Sequence, residues 1–320
     1  MPIVLTSLPQ VSAGLAHIFT TLLSSCYVGS IYASKEARLQ FSSNNLRIQA
    51  GHIRNKERDE RWRDDPDVIR ARLVAVSLAT LTCCMIIFCL FWYLVGGEAK
   101  FISLAIRETL THLGLRFNDV SIYPYLVTPL LFLGPLYALF LSESLPFQRS
   151  WSFNKDVFPI FFSVKGLRNY IIAPITEEVV FRACILTVYH LSHATRNKMI
   201  FLSPLSFGAA HLHHAWDTYN RYGRSSAALK RAVVSTLFQF TYTSIFGFYC
   251  SYLFIRTSSV FPPIVAHIFC NIMGVPQPGF EIRQSPNRKW PIVFAYLAGI
   301  VAFTFTLGPW THMEGSLYWK

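Results

Sequence analysis

The feature that most limits what this chain can fold into is the schedule on which it excludes charge. Seven stretches contain no Asp, Glu, Lys or Arg: 1–34, 73–97, 120–142, 199–216, 232–255, 257–280 and 290–313. Most reach the roughly 20 residues an α-helix needs to cross the hydrocarbon of a bilayer. An eighth hydrophobic segment runs from about 167 to 190, and past Arg168 its only charges are Glu177, Glu178 and Arg182. Of the 320 residues, 52% are hydrophobic and 14% charged, against about 25% charged in soluble domains. Backbone groups in lipid must be satisfied within their own segment, so apolar runs of this length predict helices. The expected fold class is all-α: a polytopic membrane protein with about eight transmembrane helices around a polar intramembrane cavity, forming a single membrane domain over 1–320. The expected spans are about 11–33, 73–96, 122–141, 167–190, 199–214, 232–255, 258–274 and 291–310.

The connections carry the charge. The longest polar stretch, 35–72, holds ten Lys/Arg and seven Asp/Glu and includes the run from Arg63 to Arg72, read as an exposed loop or surface helix. The 97–119 stretch reads as a polar connection, and 142–166 as an aromatic-rich one suited to the membrane interface. If all eight segments span, loops 35–72, 142–168, 215–231 and 275–289 share one side and hold 21 Lys/Arg, against 7 on the other. By the positive-inside rule the first set is expected to be cytosolic, with both termini on the far side. The net charge of +12 therefore reads as orientation rather than nucleic-acid binding. No Lys or Arg precedes Lys35, so the N-terminus lacks the basic region of a signal peptide and is expected to be a retained first helix. The seven cysteines lie in or beside apolar segments with no CxxC pair, as small hydrophobes rather than disulfides or zinc ligands.

Ionisable side chains inside apolar segments are costly, and so are functional candidates. In Tyr170–Arg182, Glu178 and Arg182 are four apart with the acid N-terminal, the favourable order on a helix. That gives one carboxylate a built-in partner and leaves Glu177 as the acid for chemistry. The next segment places Phe207 four residues before His211, and small residues Ser206, Gly208, Ala209 and Ala210 there permit close helix approach. A third places His267 four residues before Asn271, on one helix face. Two acids, two imidazoles and an amide in an otherwise apolar chain are satisfied most simply in one wet cavity. Such a set supports hydrolysis: a carboxylate and an imidazole activate water, and imidazole and carboxamide donors stabilise an oxyanion. Two His and one Glu are also a catalytic zinc set, although no HExxH is present and the ligands would come from different helices. His213, His214 and Trp216, at the end of the 199–214 segment, read as an interfacial cluster.

The pattern Glu-Glu-x-x-x-Arg, then Phe-x-x-x-His, then His-x-x-x-Asn resembles the type II CAAX prenyl endopeptidases, the Ras-converting enzyme family. The motifs occur in family order, each on its own hydrophobic segment, and Arg168–Pro174 and the charged Arg63–Arg72 stretch also look like the eukaryotic members. The likeness is strongest over about 160–275, the expected catalytic core helices. It implies a multi-pass enzyme of the endoplasmic reticulum, its active site open to the cytosol, that cuts after a prenylated cysteine. The implied partners are the lipid bilayer and farnesylated or geranylgeranylated CAAX proteins such as small GTPases. The implied roles are water activation by Glu177 and His211, an oxyanion site at His267 and Asn271, and support from Glu178 and Arg182, with no metal and no cofactor. A prenyl chain partitions into lipid, so a cavity open to both bilayer and cytosol suits that substrate. Glu177 lies about ten residues into its segment, roughly 15 Å deep at the α-helical rise. Two readings from other classes compete. One is a non-enzymatic scaffold or chaperone that keeps the motif for stability. The other is a proton-coupled transporter, which the lack of an inverted repeat disfavours.

Overall fold

The computed structural model describes residues 11–42, 53–116 and 121–319. The described residues are helical apart from loops and an isolated bridge between Gln40 and Arg61. In chain order the principal helices are α1 (Ala13–Ser30), α2 (Pro66–Leu94), α3 (Ile102–His112), α4 (Tyr123–Leu131), α5 (Leu133–Leu141), α6 (the run 164–191), α7 (Pro204–Ala210), α8 (His214–Arg221), α9 (Ser226–Thr257), α10 (Phe261–Met273), α11 (Pro278–Gln284) and α12 (Lys289–Trp310). The chain divides into two compact units. One comprises 1–113 and 176–252, the other 114–175 and 253–320.

In the first unit, α1 opens at Ser12, whose side chain accepts a hydrogen bond from Leu15 N at 3.2 Å and so satisfies one orphan donor of the first turn. Its buried residues Ala16, Thr20, Leu23 and Tyr27 recur every three or four positions, a single stripe that packs on α2 and on the 176–191 half of α6. The helix α2 starts at Pro66, well ahead of the charge-free run that begins at 73. Asp65 precedes it, Pro66 opens it and Asp67 sits in the first turn, all favourable at a helix N-terminus. Absence of charge thus marks an apolar slab, not the helix itself. Arg72, in the stretch expected to be exposed, is buried and donates from Nε to Ala37 O at 2.8 Å. Leu78, Leu81 and Met85 on α2 point outward uncovered, an apolar exterior that suits acyl chains and would be a liability in water.

The connection 97–119 is not merely polar: it contains α3, whose Ala105, Glu108, Thr109 and His112 are buried. Thr187 Oγ1 on α6 donates to His112 O at 3.0 Å, fixing the end of α3. Close approach recurs around α9. A Cβ on Gly208 of α7 would collide with Ser244 Oγ. One on Gly247 would meet Pro204 Cβ at 2.7 Å and Arg182 Nη2 at 3.3 Å.

In the second unit, the expected single span 122–141 is broken: α4 and α5 meet at Phe132 with a bend of 67°. Pro129, inside α4, lacks the N–H that would continue the ladder. The helix α12 packs against both halves of this elbow, while its Trp290, Phe294 and Phe305 remain uncovered. Among the described residues, two helices are able to cross a membrane by length and composition, Pro66–Leu94 and Pro286–Trp310, or up to three if the bent pair is one span. The molecule is thus all-helical with membrane-capable helices.

Candidate active site

The acidic motif lies on a helix that changes its winding as it passes the motif. Within α6, residues Ala173–Glu178 are α-helical, Val179–Cys184 form a π-helical turn and Ile185–Leu191 return to α. The Ile185 N–H reaches back to Val180 O, the i→i+5 bond of the wider turn. An ideal α-helix is therefore the wrong ruler for where side chains point just beyond Glu178. π-turns of this kind are frequent at functional sites.

Glu178 and Arg182 form an ion pair with Arg182 Nε 3.1 Å from Glu178 Oε2, both side chains fully buried. Arg182 Cζ also lies 4.2 Å over the Phe207 ring. A cation held on a desolvated ring face gains on the order of 2 kcal/mol. Nη1 and Nη2 of Arg182 have no hydrogen-bond acceptor among the described residues. This pairing is carried by charge and ring contact rather than by a saturated hydrogen-bond fork.

Glu177 is half-buried, in contrast to its neighbour. The turn that carries it is fastened from α1. Tyr27 Oη lies 2.9 Å from Thr176 Oγ1, and the Tyr27 ring meets Phe181 edge-on at 5.5 Å. Sequence patterning missed Tyr27 and Thr176, because neither breaks the apolar rhythm of its helix.

Phe207 joins the ion pair to the imidazole. Its ring contacts Phe181 edge-on at 5.2 Å and the His211 ring at 4.8 Å. His211 Nδ1 lies 2.9 Å from Phe207 O. A carbonyl only accepts, so Nδ1 carries the proton and donates, and Nε2 is the acceptor nitrogen of the neutral ring. That tautomer suits a base. Beyond it the His214 ring lies 5.8 Å from His211 and the His213 ring 4.0 Å from His214.

The second unit holds the other pair. Pro262 and Pro263 open α10, and Val260 N donates to Gly114 O at 3.1 Å just ahead of them. His267 is buried on α10. Asn271, a turn further on, is exposed and donates from Nδ2 to Asn169 O at 2.9 Å. Asn169 sits on the π-helical turn Leu167–Ile172, and its Oδ1 accepts from Arg168 Nε at 2.8 Å. The structure thus gathers Glu177, Glu178, Arg182, Phe207 and His211 in one unit and His267 and Asn271 in the other. Asn169 was not singled out from sequence, since a backbone acceptor leaves no side-chain signal.

Comparison with known proteins bears on what such an arrangement is for. A family model described as type II CAAX prenyl endopeptidase Rce1-like matches residues 159–273, a span that encloses all three motifs. The chain is 30% identical over 301 residues to the probable CAAX prenyl protease 2 of Schizosaccharomyces pombe, covering 91% of this chain and 92% of that one. It is 32% identical over 315 residues to the human CAAX prenyl protease 2, covering 94% and 83%. Over 149 residues, 47% of this chain and 45% of its relative, it is 42% identical to the Arabidopsis thaliana CAAX prenyl protease 2. No solved structure matches. The chain belongs to the Rce1-like family of type II CAAX prenyl endopeptidases. It is a membrane protein and a peptide hydrolase.

Proposed function

We propose that this endopeptidase removes the C-terminal tripeptide from farnesylated or geranylgeranylated CAAX proteins, small GTPases among them, at the endoplasmic reticulum membrane. The name shared by its relatives supports that substrate class. In this reading the chain is a single membrane domain of about eight spans around a polar cavity open to the cytosol, with 160–275 as its catalytic core. Loops 35–72 and 215–231 are cytosolic. Supporting that shared side, Arg54 N donates to Arg221 O at 3.0 Å and Arg54 Nε to Asn220 O at 3.0 Å.

The observation that carries the mechanism is the unequal placement of two adjacent acids. Glu178 is fully buried against Arg182, whereas Glu177 keeps partial access. Glu177, helped by Nε2 of His211, takes a proton from water. The hydroxide adds to the carbonyl carbon of the prenylated cysteine itself. His267 and Asn271 donate to the resulting oxyanion. Collapse breaks the C–N bond, and the proton held at Glu177 or His211 passes to the departing amine. Glu178, Arg182 and Phe207 hold the acidic turn in place. The prenyl group supplies most of the binding surface through lipid and leaves the protein to align the peptide.

The test is purified protein with a farnesylated CAAX peptide, with and without a chelator. Glu177→Gln is nearly isosteric. It is expected to melt like the wild type, bind the peptide and lose about 10²–10⁴-fold in turnover. A folded Glu177→Gln with wild-type turnover overturns the base assignment. Loss of activity on chelation, restored by zinc, would instead make Glu177, His211 and His267 metal ligands.

A further inference from the structure

The first unit contains an open polar cavity of about 490 Å³ that the hydrolytic residues do not use. Its lining includes Arg63, His214, Asp217, Arg221, Arg231 and Gln239. Three guanidinium groups face one carboxylate, so the lining is cationic. Two of the guanidinium planes are braced by aromatic faces. Arg231 Cζ lies 4.2 Å over Tyr222 and Arg221 Cζ lies 5.0 Å over Trp62. Asp217 Oδ2 lies 3.6 Å from Arg221 Nη1. Burial raises the pKa of the Asp217 carboxyl, while Arg221 and Arg63 pull it down. The wall also has unspent hydrogen-bonding capacity of both kinds. Arg221 Nε and Asp217 Oδ1 are buried without a partner among the described residues.

The position of the cavity says what it is for. His214 is part of its lining, and the His214 ring lies 5.8 Å from that of His211. The cavity therefore begins one ring beyond the imidazole assigned to water activation. An extended tripeptide spans about 10 Å, the separation between a scissile bond and the terminal carboxylate of a three-residue leaving group. The volume falls within the range of about 300–1,000 Å³ typical of ligand pockets, enough for a final side chain and its carboxylate. Planar guanidinium groups match a carboxylate through paired N–H donors. An unpaired acceptor beside them suits a peptide N–H, which a phosphate headgroup lacks.

We infer that this arginine-lined cavity receives the free C-terminal carboxylate of the substrate, so that the enzyme measures three residues from the cleaved bond. The inference rests on the functional reading above. It requires that the terminal charge matter to turnover and that the effect run through Arg231 and Arg63.

The experiment compares two farnesylated peptides of one sequence, one ending in a free acid and one in a C-terminal amide, and follows release of the tripeptide. Wild type is expected to favour the acid in kcat/KM by about 10- to 100-fold, the scale of a lost hydrogen bond to a charged group. Arg231→Gln and Arg63→Gln, each checked by melting temperature, are expected to collapse that ratio towards 1, with Arg231→Lys retaining part of it. Equal cleavage of acid and amide by wild type overturns the cavity assignment alone. So does a ratio unchanged in both variants. A loss on both peptides alike, seen only in vesicles containing anionic phospholipid, overturns it in favour of a headgroup site. Cleavage of neither peptide by wild type overturns the functional reading and the inference with it.

Discussion

Two buried guanidinium–carboxylate pairs in the first unit have the same charges and opposite constructions. In the polar stretch before α2, Glu60 accepts from Arg54 Nη1 at 2.9 Å, Glu57 N at 3.0 Å, Ser42 N at 2.6 Å and Trp62 Nε1 at 3.1 Å. Arg54 Nη2 also donates to it, and Arg54 Nε donates to Asn220 O. Nearly every donor and acceptor there has a counterpart. On α6, Arg182 meets Glu178 through one close approach, leans on the Phe207 ring and leaves Nη1 and Nη2 without acceptors among the described residues. The first pair is a staple between two loops. The second is a charge kept in an apolar helix at high cost, beside the acid proposed to do the chemistry. The lesson is that saturation, more than burial, separates a pair serving stability from one placed for a site.

The largest expected effect breaks the second pair. Arg182→Ala leaves Glu178 buried without its cation and removes the charge on the Phe207 face. Loss of one member of a buried pair costs about 3–5 kcal/mol, so the folded yield in detergent and the melting temperature are both expected to fall sharply. Glu178→Leu combined with Arg182→Met sharpens the point. Replacing both charges by apolar groups of similar volume is often neutral or stabilising, so the double variant is expected to recover most of the lost melting temperature. A well-expressed Arg182→Ala with wild-type melting would remove the structural role given to this pair.

The contrast also marks what the sequence could and could not reveal. The helical class was legible because charge exclusion acts over whole segments and tolerates local irregularity. The motif residues were legible because charge in an apolar run is costly and therefore visible. The Glu178–Arg182 contact followed from spacing, but the π-turn at Val179–Cys184 did not, since one extra residue in a turn leaves no compositional trace. The α4–α5 elbow was half legible: Pro129 marks the weak point, whereas the 67° bend depends on packing against α12. Phe207 carried a motif position without a reason until its ring was found beneath Arg182 and beside His211. The Arg54–Glu60 staple was hidden among the ten basic and seven acidic residues of 35–72, where composition reads as solvated loop.

Breaking the staple is expected to cost less. Arg54→Ala removes the guanidinium from Glu60, yet three donors remain: Ser42 N, Glu57 N and Trp62 Nε1. The carboxylate stays partly satisfied, and the expected loss is about 1–3 kcal/mol, the scale for unmaking hydrogen bonds to a buried group. Limited proteolysis should show earlier cleavage within 53–65, because the side-chain tie from Arg54 Nε to Asn220 O goes too. Equal destabilisation by Arg54→Ala and Arg182→Ala would erase the distinction drawn between the two pairs.

The smallest effect comes from titrating the staple rather than mutating it. Burial raises the pKa of Glu60, but hydrogen bonds from Arg54 and from the Glu57 and Ser42 amides outweigh it and bring the carboxyl from 4.5 to about 2. A group with a depressed folded pKa binds its proton more readily when unfolded. Its contribution is therefore fully present above the unfolded value, near pH 4.5, and is lost as pH falls towards 2. Between pH 7 and pH 4 the loss amounts to less than about 1 kcal/mol, because only the upper end of that window has been entered. Glu60→Gln removes the titration and keeps the side chain's shape. Wild type should lose melting temperature relative to Glu60→Gln as pH drops from 7 to 4 and more steeply below, although the variant starts less stable. Parallel curves for the two proteins down to pH 3 would show that the Arg54–Glu60 hydrogen bonds do not hold the carboxylate in its charged form, and the staple would lose its electrostatic basis.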